Sequence, residues 1–256
     1  LSWRDVRDIL RVTAKKIDAN YGTDPNRNNG NRGQLFNLTS NSFTSTPVGA
    51  GTLTDGATTA PLDYGWQVNA VGQPFSNWYG FGVADAAAAV NMARSYTNYQ
   101  PAALTVPDFA AVDTLVNNGT FSYGKVTKVA TFAVPNALSG PTVAQVDELQ
   151  LRLSGSFCVG SVGWYVVSPS GTVSVLQTPL NTFYNLGVSQ ASNYALGSYT
   201  FYGEPQATGS NWTVYAVAAT PNQGATTQCT AASGGSLSKL EYRVITRPVS
   251  SRNNYD

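Results

Sequence analysis

Histidine is absent from this 256-residue chain. Without an imidazole, neither a Ser–His–Asp nor a Cys–His machine can be built from these residues alone, because the usual general base is missing. The commonest zinc ligand is missing with it. Charge is scarce too: Asp, Glu, Lys and Arg make up 11% of residues, against about 25% in ordinary soluble domains. The formal net charge is +1 and no basic stripe runs along the chain, so nucleic acid is not expected as a partner. No apolar run reaches the roughly 18 residues of a membrane span, and no membrane partner is expected. Two cysteines, Cys158 and Cys229, are too few for a disulfide scaffold and lack metal-ligand spacing. They read as one structural disulfide in a secreted protein, with two free thiols as the alternative.

Gly, Ser, Thr, Asn and Tyr are plentiful instead, which suits an extracellular type of surface solvated by hydroxyls and amides. Residues 2–17 predict an amphipathic helix. Ser2 serves as N-cap with Asp5 three residues on, and Val6, Ile9, Leu10, Thr13, Ala14 and Ile17 form one stripe. Arg4, Arg7, Asp8, Arg11 and Lys15 fall mostly on the other side and read as a solvated face. The apolar stripe needs a covering element, and little nearby in the sequence supplies one. Residues of about 22–63 form a long polar insert with scant periodicity, expected to be a functional or mobile loop. Within it Asp24, Asn26 and Asn28 alternate as in a calcium loop. The glycine and glutamate such a loop requires are missing, which favours a plain surface loop. A second, alanine-rich helix is expected over 84–94, and a linker lies between Pro101 and Pro107. Short β-rich runs follow at 125–135, 146–155, 163–169, 172–177, 198–204, 212–219 and 239–247. They predict an all-β sandwich or jelly roll over 107–248, with a frayed tail at 249–256.

Four segments, in order, carry a resemblance: "LSWRDVRDILRVTA", "FSNWYGFGVADAAAAV", "SPSGTVSVL" and "GSNWTVYAV". Together they resemble the end of a subtilisin-type catalytic domain followed by a P-domain, as in kexin/furin-like secreted serine proteases. The resemblance implies a mixed fold, with the C-terminal helices of a subtilisin-like α/β domain over 1–100 and a jelly-roll P-domain over 107–248. It implies a C-terminal fragment, inactive alone, whose Asp–His–Ser triad lies upstream; the family's G-T-S-x-A-x-P nucleophile motif is absent here, so no catalytic residue is assigned. It further implies polypeptide substrates, an N-terminal catalytic fragment as partner, and calcium in the intact protease with no ligand assignable in this chain. The insert suggests an inhibitor or chaperone as a further partner, and its deletion is expected to weaken that binding without unfolding the protein. Trp3, Val6, Leu10, Trp66, Phe75, Trp78 and Phe81 are the candidates for packing at the junction with the catalytic core. One departure is that "SVGWYVV" lacks the acidic residue usual before the SPSGT-like turn. The alternative is a non-catalytic jelly-roll binding module for carbohydrate or protein, with Trp164, Tyr165, Trp212 and Tyr215 as stacking aromatics.

Overall fold

Helix α1 (Trp3–Thr13) starts where the sequence places it. The Ser2 hydroxyl accepts from the Asp5 amide at 3.2 Å, and the Asp5 carboxylate accepts from the Ser2 amide at 2.7 Å, closing two donors that a helix start leaves open. The structure, a computed structural model, describes residues 1–20, 34–47, 53–97, 104–134, 144–184, 186–206, 209–221, 229 and 234–247. The helix stops short of Ile17 because Ala14 turns extended and Lys15 pairs with Val83 instead, through backbone bonds of 2.8 and 3.0 Å. Strands β1 (Gln34–Asn37), β2 (Ser42–Pro47) and β3 (Thr59–Pro61) form an antiparallel sheet in the order β2-β1-β3. A hairpin of β4 (Trp66–Val68) and β5 (Pro74–Ser76) leads to helix α2 (Ala86–Ser95), capped by the Asp85 carboxylate on the Ala88 amide at 3.0 Å.

The remainder is sheet. In chain order it comprises β6 (Ala110–Ala111), β7 (Thr120–Ser122), β8 (Lys125–Ala133), β9 (Ala144–Ser156) and β10 (Val162–Val167). Then follow β11 (Val173–Gln177), β12 (Gln190–Ser198), β13 (Pro205–Gln206), β14 (Asn211–Ala218) and β15 (Gly234–Arg247). One antiparallel sheet runs β11-β10-β14-β8 and the other β12-β9-β15-β6, with β13 on β9 and β7 on β15. Their inner faces share one core: Leu149, Leu151 and Leu153 of β9 and Leu240 and Val244 of β15 meet Trp164 of β10 and Trp212 and Val214 of β14. The alternation of period two along β9 and β14 puts these residues on one side. Cys158 and Cys229 are joined as a disulfide, with Cα atoms 5.5 Å apart.

Three expectations change. The insert is not a structureless loop where it is described: β1–β3 lie against the outer face of the β8-β10-β14 layer. There Phe36, Leu38 and Ala60 share a second core with Val126, Tyr165, Val217 and Ala219. Its strands of 3 to 6 residues are too short to show a periodicity among so many polar neighbours. The run at 198–204 is mostly a turn, and the strand lies just before it at β12; Phe201 and Tyr202 are apolar because the turn folds into the core. The expected linker is docked over its described part. Thr105 pairs with Thr246, β6 pairs with β15, and Phe109 sits between the guanidinium groups of Arg152 and Arg243 at 3.9 and 4.5 Å.

Candidate functional site

Helix α1 is packed the unexpected way round. Arg4, Asp5, Asp8 and Arg11 are buried, whereas Trp3 is 64% exposed, Val6 45% and Leu10 41%. The charged face is therefore not the solvated one that the sequence suggests. Its burial is made tolerable by pairing, as a buried charge requires. Arg11 Nη2 donates to Asp8 at 2.5 Å, the Tyr96 hydroxyl donates to the other Asp8 oxygen at 2.7 Å, and Arg7 Nη2 donates to Asp147 of β9 at 2.5 Å. Tyr202 is the centre of the arrangement: Arg7, Arg11 and Arg247 lie over its ring at 5.3, 4.7 and 4.4 Å, and Arg247 Nη1 donates to its hydroxyl at 3.0 Å. Planar, weakly hydrated guanidinium groups suit such stacking better than an ammonium would. Burial opposes ionisation of Asp8, yet Arg11 and Tyr96 outweigh it and hold the carboxyl below its usual range. Burial pushes the Arg247 guanidinium down from its ordinary value.

This polar seam fixes α1 to the two-sheet body and leaves Trp3, Val6 and Leu10 facing outward, while Ile9 of the same stripe is buried. An open groove of about 390 Å³ runs along α1, lined by Trp3, Val6, Arg7, Leu10, Arg11 and Ala14 of that helix and its C-cap and by Phe81, Gly82 and Ala84. Gly82 is required here: at φ +122° a Cβ would lie 2.6 Å from the Lys15 carbonyl oxygen. Of the seven junction candidates, Trp3, Val6, Leu10 and Phe81 meet in the groove. Phe75 reaches it through an edge contact with Phe81 at 5.4 Å. Trp66 stacks on Tyr79 at 6.0 Å, its indole N–H donating to the Ile17 carbonyl at 2.9 Å, while Trp78 is 60% exposed on the same hairpin region. Sequence reasoning missed Arg7, Asp147, Tyr202 and Arg247. A charged stripe on a helix gives no sign that its partners lie more than 100 residues away.

Asp147→Asn is expected to destabilise the chain by about 2 kcal/mol in urea unfolding, since it leaves Arg7 without its counter-charge at a site only partly open to water. Arg7→Met combined with Asp147→Leu should cost less than either change alone. Equal or additive losses would show that the pair is not coupled.

Trp164, Tyr165 and Trp212 are fully buried, so they offer no open stacking face for a sugar. Asp24, Asn26 and Asn28 lie outside the described residues. Among the described residues no group of three or more His, Cys, Asp or Glu could hold a metal ion, and no helix is long and apolar enough to cross a membrane.

No protein-family model matches the chain. It is 32% identical over 115 residues to Furin-1 of Xenopus laevis, a stretch covering 44% of this chain and 14% of that protein. Its fold is similar to the serine protease of Aeromonas sobria in complex with a chaperone, with a TM-score of 0.72 and 19% identity over 97% of this chain and 40% of the other. It is similar also to the serine protease of Aeromonas sobria in a second crystal structure, with a TM-score of 0.70 and 20% identity over 96% of this chain and 40% of that one. The chain thus spans well under two thirds of the length of each protein it matches. In sequence it is similar to part of a furin, and in fold to part of a serine protease.

Proposed function

We propose that this chain is the C-terminal portion of a secreted kexin-like serine endopeptidase, in which it completes the catalytic core and braces it. On this reading residues 1–100 contribute helices to a subtilisin-like domain, and the two-sheet body over 107–248 is a P-domain jelly roll. Peptide-bond hydrolysis is carried out by an Asp–His–Ser triad on residues outside this sequence, with the Ser attacking the scissile carbonyl and the His taking its proton. The chain itself, having no histidine, is inactive. Its disulfide favours an oxidising, extracellular setting. A chaperone or inhibitor remains a partner of this reading, supported by the similar Aeromonas sobria protease, which is found in a complex with a chaperone. Calcium belongs to the intact protease and is given no ligand among the described residues.

The observation that carries this proposal is the inverted helix. Large apolar side chains on α1 are exposed beside a groove, and exposing them costs hydrophobic free energy that an adjoining surface recovers. The polar seam behind them sets the orientation in which they are presented. The test places Val6→Ser with Leu10→Ser in the intact protease. Recovery of soluble, active enzyme is expected to fall at least tenfold, while the same pair leaves the urea midpoint of this chain alone nearly unchanged. Full activity and unchanged thermal inactivation of the intact double variant would rule out α1 as the packing face.

A further inference from the structure

Glu204 lies in the turn between Tyr202 and β13 and is 1% exposed. Its Oε1 accepts from the Ala70 amide at 3.1 Å and from the Thr172 hydroxyl, and the Ser168 side chain is a further hydrogen-bonding neighbour of the carboxyl; burial outweighs all three. Its Oε2 is enclosed and has no hydrogen-bond partner. An atom with almost no accessible surface leaves no space for a water or a cation next to it. Nor, among the described residues, does a counter-charge reach it. The Asn69–Gln73 loop and the Ser168–Thr172 turn, which pack against it, contain no titratable group. The adjoining strands and turn bring Asp147, Arg247, Tyr199 and Tyr202. Asp147 is paired with Arg7, Arg247 is turned to Tyr202, and none of the four acts on Glu204.

An ionised carboxylate so placed is costly, and a proton is the one positive charge small enough to fit. The Ala70 and Thr172 hydrogen bonds both fall on Oε1, so a proton on Oε2 displaces neither donor. We propose that Glu204 is held as the neutral acid in the folded protein, with its proton on Oε2, and acts as an acid-set latch fastening the Asn69–Gln73 loop to the two-sheet body. The loop is seated on the same turn: Asn69 Nδ2 donates to the Thr200 and Tyr202 carbonyls at 3.0 Å each, and the Gln73 amide donates to Asn69 Oδ1 at 2.9 Å. The Glu204 bond to Ala70 completes the attachment of the β4–β5 hairpin.

Burial raises the Glu204 carboxyl above its ordinary value of 4.5. Below that value folded and unfolded chains both hold the proton, and the contribution to stability is fully present. As pH rises toward the folded value the unfolded chain releases its proton first, so stability declines, and the decline ends once the folded chain has also ionised. The latch is tightest in acid and loosens toward neutral pH.

The chain has three glutamates, Glu148, Glu204 and Glu241, so carbon-13 labelling of glutamate yields three carboxyl resonances. In the full chain, one is expected to titrate above the ordinary glutamate range and to vanish in Glu204→Gln, with Glu241 lying low beside Lys239 and Arg152. In urea unfolding, the ratio of the wild-type to the Glu204→Gln unfolding constant is expected to be flat below about pH 4.5 and then to climb. Its limiting slope is tenfold per pH unit for one proton. If Glu204→Gln fails to fold, the wild-type resonances decide, with Glu148→Gln supplying the assignment. A Glu204 carboxyl that titrates at or below the ordinary range of about 4.3, or a ratio that does not change with pH, would overturn the latch.

Discussion

Replacing residues 34–61 with a short glycine-serine linker is expected to abolish cooperative folding of the chain. The polar composition of this segment argues for a dispensable loop, but its few apolar residues are core residues. Phe36, Leu38 and Ala60 are at most 2% exposed, and across from them Tyr165, Val126, Val217 and Ala219 are buried only because the β1–β3 sheet covers them. The attachment is also hydrogen-bonded. Leu38 accepts from the Thr220 amide at 2.8 Å, Val126 and Ala57 pair at 2.8 Å, Gly56 donates to Val126 at 2.9 Å, and the Tyr165 hydroxyl donates to the Pro61 carbonyl at 2.7 Å. Leu38→Ala alone is expected to cost about 2–5 kcal/mol. Removing the sheet strips several such side chains and leaves the Tyr165 hydroxyl without its acceptor, which together match or exceed the total stability of about 5–15 kcal/mol typical of a domain. Circular dichroism through a urea titration is the measurement. A deletion variant with a sharp transition near the wild-type midpoint would show that the segment is an appendage after all. From the sequence alone, deletion is expected instead to weaken a partner's binding without unfolding the protein, and the same titration separates the two outcomes.

Breaking the Cys158–Cys229 disulfide has the next largest expected effect. The bond closes a loop spanning 71 positions of sequence, and restricting so long a loop in the unfolded chain stabilises the folded state by about 2–4 kcal/mol. Cys158 is itself almost fully buried just before the short 3-10 turn Val159–Ser161, so little relaxation is available when the bond is lost. Cys158→Ser with Cys229→Ser should lower the urea midpoint accordingly. Adding reductant should bring the wild type to the same midpoint and leave the variant unmoved. If wild type and variant agree within about 0.5 kcal/mol without reductant, the disulfide contributes nothing measurable, and the entropic account fails for this chain.

The regular elements were legible wherever local physics decides them. The Ser2–Asp5 capping box, the alanine-rich α2 and the alternation in β8, β9 and β14 are all set by neighbours within a few residues, and the structure has each of them. The strands of the insert escaped notice because at 3 to 6 residues each is shorter than the window in which a period can be seen. Of the candidate site, the apolar stripe of α1 and Phe81 could be named in advance, since an apolar stripe must be covered by something.

The sequence by itself determined that α1 is amphipathic, that this chain holds no imidazole, and that the regular structure after Pro107 is mostly strand. Each follows from composition or from spacing along the backbone. The tertiary structure alone decided which face of α1 is buried. Amphipathic periodicity describes two faces and leaves open which one meets the body of the protein. Here Asp147, Arg247 and Tyr202, distant in sequence, supply counter-charges and a ring for the charged face, so the polar side is drawn inward and the apolar side is left for another surface. The same holds for Glu204. Its type and position can be read from the chain, whereas its burial without a counter-charge among the described residues arises only when the turns pack together.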